Sequence, residues 1–133
     1  MKPLYLLLAI PALLVSTGSQ AQMFNQEYEK CNQSTTVSIV DCVNKQAKKW
    51  DTRLNKSYKA LMERSDAAQQ APLKSAQRQW IQYRDANCQF YALGDGSISQ
   101  INAAECLRAM TQARTCEIEA ANRYEGGPQA GCK

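Results

Sequence analysis

The chain is 133 residues long, 44% hydrophobic and 21% charged, with a formal net charge of +4, six cysteines and no histidine. Without histidine it lacks the usual general base and the commonest nitrogen ligand for zinc. Its basic and acidic residues are interspersed along the sequence, and no basic stripe with aromatic stacking platforms is visible, which argues against a nucleic-acid binder.

Lys2 precedes the apolar run Leu4 to Val15, and small and polar residues follow up to Ser19-Gln20-Ala21. This is the three-part pattern of a secretory signal peptide. The apolar run is shorter than the roughly 20 residues that span a bilayer. Residues 1–21 are therefore expected to be cut off after Ala21, with no cysteine there to take a lipid and no membrane anchor left. Residues 22–133 are the size of one domain. Loss of Lys2 leaves 15 basic against 12 acidic residues, a net +3. The expected location is the periplasm or the cell exterior, where disulfides persist.

The lead-in from Gln22 to about Thr36 is polar, offering caps and turns and a tie through Cys31. From Val37 to about Arg64, Val43, Ala47, Trp50, Leu54, Tyr58 and Leu61 recur at steps of three and four, the period of a helix. Lysines, asparagines and Asp51 fill its other faces, and Ser65-Asp66 marks its end. Pro72 suits the first turn of a second helix. Its inward positions from Leu73 to about Ala92 are read as Leu73, Ala76, Trp80, Tyr83, Asn87 or Cys88, and Tyr91. Gly94-Asp95-Gly96 breaks it, and Ser97 or Ser99 can cap a third helix. That helix points Ile101, Cys106 or Leu107, Met110, Ala113, Ile118 and Ala121 inward and ends before Gly126-Gly127-Pro128. The predicted fold is all-α: a small antiparallel three-helix bundle, with room for a short extra N-terminal helix, stapled by disulfides.

All six cysteines lie beyond residue 21, an even number in a chain bound for an oxidising compartment. Six cysteines allow 15 pairings; local spacing favours Cys31 with Cys42, Cys88 with Cys106, and Cys116 with Cys132. With no histidine and no Cys-x-x-Cys pair, neither a zinc site nor any other cofactor is expected.

An early Cys31, a second Cys42 opening a helix, Asn55-Lys56-Ser57-Tyr58, the run Gln77-Arg78-Gln79-Trp80-Ile81-Gln82-Tyr83-Arg84-Asp85-Ala86-Asn87-Cys88, then Cys106 and Thr111-Gln112-Ala113-Arg114 follow one another in a fixed order. In that order the chain resembles the LprI-like lysozyme-inhibitor family over nearly all of residues 22–133. Cys116 and Cys132 depart from the four-cysteine pattern of the family, and two extra cysteines most simply pair with each other. The resemblance implies a protein-binding domain whose first partner to test is lysozyme or another peptidoglycan hydrolase. Alternatives from other classes are an envelope structural or stress-related binding protein and a toxin-immunity protein. Sequence does not set the oligomeric state.

The residues themselves divide into core and contact. Trp80 and Tyr83 fall at core spacing with Leu73 and Ala76, as do Trp50 and Tyr58 on the preceding helix. Gln77 and Arg84 share one helix face, and Arg84 or Arg114 is read as an internal clamp on a carboxylate or a helix-end carbonyl. The turn Gly94, Asp95, Gly96, Ser97, together with Arg84 and Asp85, is the candidate partner-binding element, since a loop closed by Cys88 and Cys106 would be preorganised. Vertebrate-type lysozymes are basic, so a net +3 gives no long-range attraction; an acidic patch of Asp95, Glu105 and Glu117 would supply it locally. No spacing of Asp41, Asp85, Asp95 or Glu105 selects a carboxylate pair for glycoside chemistry, and no catalytic residue is expected.

Overall fold

The computed structural model of the protein describes residues 22–32, 35–124 and 132. The expected signal segment, 1–21, and the tail other than Cys132 lie outside the described residues. Among the described residues there are four helices and no strand: α1 (Gln26–Glu29), α2 (Thr36–Arg64), α3 (Ala67–Ala92) and α4 (Ile98–Asn122). The all-α bundle of three long helices is as predicted, and α1 is the short extra helix in the lead-in.

Local chemistry sets the helix starts. Asn25 Oδ1 accepts the backbone N–H groups of Glu27 and Tyr28 at 3.0 and 3.2 Å, and Thr35 Oγ1 accepts that of Ser38 at 3.2 Å. Both satisfy donors that a helix N-terminus leaves unpaired. At α3 a capping box operates: Asp66 Oδ1 accepts from Gln69 N at 2.9 Å, and Asp66 N donates to Gln69 Oε1 at 3.3 Å. The box starts α3 at Ala67, so Pro72 lies inside the helix rather than in its first turn.

Helix α4 is the centre of the bundle. Twelve of its 25 residues are buried, against three on α2 and two on α3. It runs parallel to α2, where Asn122 Nδ2 donates to the Ser57 carbonyl at 2.9 Å and Thr115 Oγ1 to that of Trp50 at 3.4 Å. It runs antiparallel to α3. Tyr28, Cys31, Ile39, Val43, Ile101 and Ala104 form the apolar core where α1, α2 and α4 meet. Three disulfides, Cys31–Cys42, Cys88–Cys106 and Cys116–Cys132, staple the bundle.

Two inward faces differ from the periodic reading. On α3, Tyr83 is 62% exposed and Ala76 is exposed, while Gln77 is buried. The inner face runs through Gln77, Trp80, Arg84 and Cys88, because α3 meets its neighbours largely through polar contacts. On α4, Ala113 is exposed, whereas Glu105 and Arg108 are both fully buried. The five N–H groups of the Arg108 guanidinium are all used. Nε and Nη2 grip the two Glu105 oxygens at 2.7 and 2.6 Å, Nη1 reaches Glu27 at 3.0 Å and Gln112 at 2.6 Å, and Nη2 reaches the Gln22 carbonyl at 2.9 Å. Glu105 also accepts the Phe24 N–H at 2.8 Å, and Glu27 accepts Trp50 Nε1 at 2.9 Å. One buried arginine thus joins the lead-in, α1 and α4, and through Glu27 it reaches α2.

A second ion pair fastens α2 to the far half of α4. Arg53 Nε and Nη2 donate to Glu119 at 2.6 and 2.7 Å, and Ser57 Oγ adds a bond of 3.2 Å. The Arg53 hydrogen bonds hold the Glu119 carboxyl below its ordinary value of 4.5, outweighing the burial that would raise it. A carboxylate depressed in the folded state contributes stability that is complete above its unfolded value and is lost as pH falls through the folded one. The thermal midpoint is therefore expected to drop as the pH falls below 4.5, and Glu119→Gln is expected to make that drop shallower. Equal slopes for both proteins in thermal melts across that range would rule the pair out as a contributor.

Candidate functional site

The five residues between α3 and α4, Leu93 to Ser97, form the turn that the glycines mark. Leu93 N donates to the Gln89 carbonyl and Gly94 N to that of Tyr91, closing α3. Gly96 alone among the turn residues takes a positive φ, 71°, which costs a side-chain-bearing residue dearly and glycine little. Its carbonyl accepts both the backbone N–H of Ser99 at 3.2 Å and the Ser99 hydroxyl at 2.7 Å. Ser97 stands at the N-cap position without a side-chain bond, so buried Ser99 does the tethering.

Cys88 and Cys106 close the base of the turn, both nearly fully buried with Cα atoms 5.5 Å apart. Met110 Sδ lies 3.8 Å from each of their sulfurs, and Asn87 Nδ2 donates to Met110 Sδ at 3.3 Å. Leu93 in the turn, Phe90 in the last turn of α3 and Ile98 at the start of α4 are exposed by 78%, 74% and 54%. The periodic reading had named none of the three, either as core or as contact. Asp85 and Asp95 are exposed beside them.

The other predicted residues sit elsewhere. Arg114 Nε donates to Gln77 Oε1 at 3.0 Å and its Nη1 to Glu117 at 2.8 Å, an internal junction between α3 and α4. Arg84 lies mostly inward, paired with Asp85 at 2.8 Å and reaching Asp51 of α2 at 4.0 Å. The guanidiniums of Arg84 and Arg114 lie 5.0 and 6.0 Å from the centre of the half-buried Trp80 ring. Glu105 is buried against Arg108 and the partly exposed Glu117 is paired with Arg114, so Asp95, Glu105 and Glu117 form no acidic patch of unpaired carboxylates. No group of three metal-ligating side chains occurs among the described residues. No helix among them is long and apolar enough to cross a membrane.

The arrangement offers exposed apolar side chains at and beside a turn braced by a disulfide; Val37, Tyr83 and Tyr124 are exposed elsewhere on the bundle. Comparison with known proteins places the whole of this region in one family. The family model described as lysozyme inhibitor LprI matches residues 27–118, which take in both helices of the turn and the Cys31–Cys42 and Cys88–Cys106 bridges. An uncharacterized protein of Rhizobium meliloti (strain 1021) is 31% identical over 128 residues, covering 84% of this chain and 90% of that protein. No solved structure matches. With its bundle, its cysteine pairs and more than two-thirds of its length accounted for by that model, the chain belongs to the LprI lysozyme inhibitor family.

Proposed function

We propose that the protein works in the periplasm or outside the cell, after removal of residues 1–21, and inhibits a lysozyme or related cell-wall hydrolase. It does so by seating the α3–α4 turn against the enzyme's glycan cleft, without covalent chemistry. The observation that carries this reading is the exposure of Phe90, Leu93 and Ile98, three apolar side chains within nine residues, at and beside a turn closed by Cys88–Cys106. Single exposed apolar residues need no explanation, but a group of them on a braced element suits protein recognition, and rigidity lowers the entropy lost on binding. Charge supports the same end of the molecule. No basic residue lies between Arg84 and Arg108, while Asp85 and Asp95 are exposed. Asp85 is paired with Arg84, so Asp95 is the exposed carboxylate of the turn itself, a single charge of the sign that favours encounter with a basic lysozyme. Family membership supports the class of partner, and three disulfides support an oxidising compartment.

Titration of the oxidised protein into turbidity assays of chicken-type and goose-type lysozymes tests the reading, with a reduced and alkylated sample as control. Dose-dependent inhibition that disappears on reduction is expected. Phe90→Ala and Leu93→Ala are each expected to raise the inhibition constant about thirtyfold, the effect of losing a binding hot spot of about 2 kcal/mol. Their thermal midpoints should stay close to wild type, because both side chains are exposed. No inhibition at large molar excess would overturn the hydrolase reading in favour of an envelope-binding role. Inhibition untouched by either substitution would move the contact away from the turn.

A further inference from the structure

In linear order the basic residues are interspersed, but the fold gathers one set of them onto a single face. Helix α2 holds seven basic and three acidic residues, a net +4 that equals the net charge of the whole chain. At 100° per residue, Lys45, Lys48, Lys49, Lys56 and Lys59 all fall within about a quarter of the helix circumference, directly opposite the buried Ile39, Val43 and Leu54. All five are exposed. Among the described residues only Lys59 has an ion-pair partner, Glu63 at 3.9 Å with both side chains open to solvent. The basic residue that α2 does commit to the fold, Arg53, lies off this stripe and grips Glu119. Between Lys45 and Lys59 the stripe is interrupted by no carboxylate; Asp41 and Glu63 lie at its ends.

We propose that this face of α2 docks on an anionic phospholipid bilayer. The stripe extends about 21 Å along a straight element, and α4, the partner that covers α2, lies on the opposite side. Five flexible ammonium groups in a plane suit a flat layer of phosphate headgroups. No aromatic side chain stands among them to stack on bases, and no apolar one stands there to insert between acyl chains, so the attraction is electrostatic and superficial. The α3–α4 turn is on another face, and the inference does not depend on the hydrolase reading.

The test is co-sedimentation of protein expressed from the full chain, with its disulfides formed, on vesicles of two compositions. One is equimolar phosphatidylglycerol and phosphatidylcholine; the other is phosphatidylcholine alone. Binding to the first at low salt, lost at high salt, and none to the second is expected. Replacing Lys45, Lys48, Lys49 and Lys56 together by glutamine should weaken binding about a thousandfold, at about 1 kcal/mol for each lysine near the surface. The same four positions changed to arginine should bind like wild type, which keeps the test decisive if the glutamine variant folds poorly. Equal binding to both vesicle types would point to apolar insertion and overturn the proposal. So would wild-type binding by a folded glutamine variant, or preference for a DNA duplex at equal phosphate concentration.

Discussion

Arg108→Met is expected to cost about 3–5 kcal/mol of folding stability, the range found when one partner of a buried ion pair is removed. The methionine fills much the same space, so the loss comes from what the guanidinium leaves behind. Glu105, fully buried, would keep only the Phe24 N–H at its carboxylate, and Glu27, Gln112 and the Gln22 carbonyl would each lose a donor. A domain of this size has about 5–15 kcal/mol in total, so the variant should be partly unfolded near physiological temperature. Urea denaturation followed by circular dichroism measures the change. Pairing Arg108→Met with Glu105→Gln should restore part of the loss, since an amide is cheaper to bury than an unpaired carboxylate. A loss below about 1 kcal/mol for Arg108→Met would mean that water replaces the guanidinium and that the lead-in is held by other contacts.

Removing the Cys88–Cys106 bridge, with both positions changed to alanine, should cost about 3 kcal/mol for a loop of 18 residues on the chain-entropy account. Two buried sulfurs that pack on Met110 are lost as well, which adds a small cavity. The more telling consequence is functional. A turn no longer fixed at its base must be ordered on binding, so inhibition should weaken further than the loss of folded protein explains. Changing Cys116 and Cys132 to alanine supplies the comparison, because that bridge anchors the tail near the other end of α4. It should lower stability and leave the inhibition constant of the folded protein unchanged. Identical losses of inhibition from both pairs, once corrected for folded fraction, would remove the turn from the contact.

The long helices were legible because α2 is amphipathic in the simplest way, with Val43 and Leu54 on one side and a row of lysines on the other. The start of α3 was missed because Pro72 was weighed above Asp66-x-x-Gln69, although a capping box is a positive signal for a helix start and proline only a tolerated one. Tyr83 was misplaced because apolar character ranks it as core, whereas the inner face is held by Gln77, which accepts a hydrogen bond from Arg114, and by Arg84, whose guanidinium lies 4.0 Å from Asp51. Glu105 and Arg108 were unreadable as a core pair, since nothing in a sequence distinguishes a buried charge from a solvated one. The one hint was their i, i+3 spacing on one helix. At the candidate site the glycines and the Cys88–Cys106 spacing gave the turn. Its apolar crown was invisible because exposure depends on what fails to pack there, and sequence does not record that.

The Arg108 junction also bears on when the fold can be completed. Its donors and acceptors are separated by 81 and 86 positions along the chain, and α4, which carries the arginine, is the last of the described helices to be made. The first bridge, Cys31–Cys42, and the α3–α4 hairpin can form from neighbouring residues, but the polar core has no local rehearsal. Glu27 and the backbone groups of Gln22 and Phe24 must therefore stay solvated until nearly the whole polypeptide has emerged. On the proposed route of export, such a chain would cross a membrane unlocked and close only afterwards.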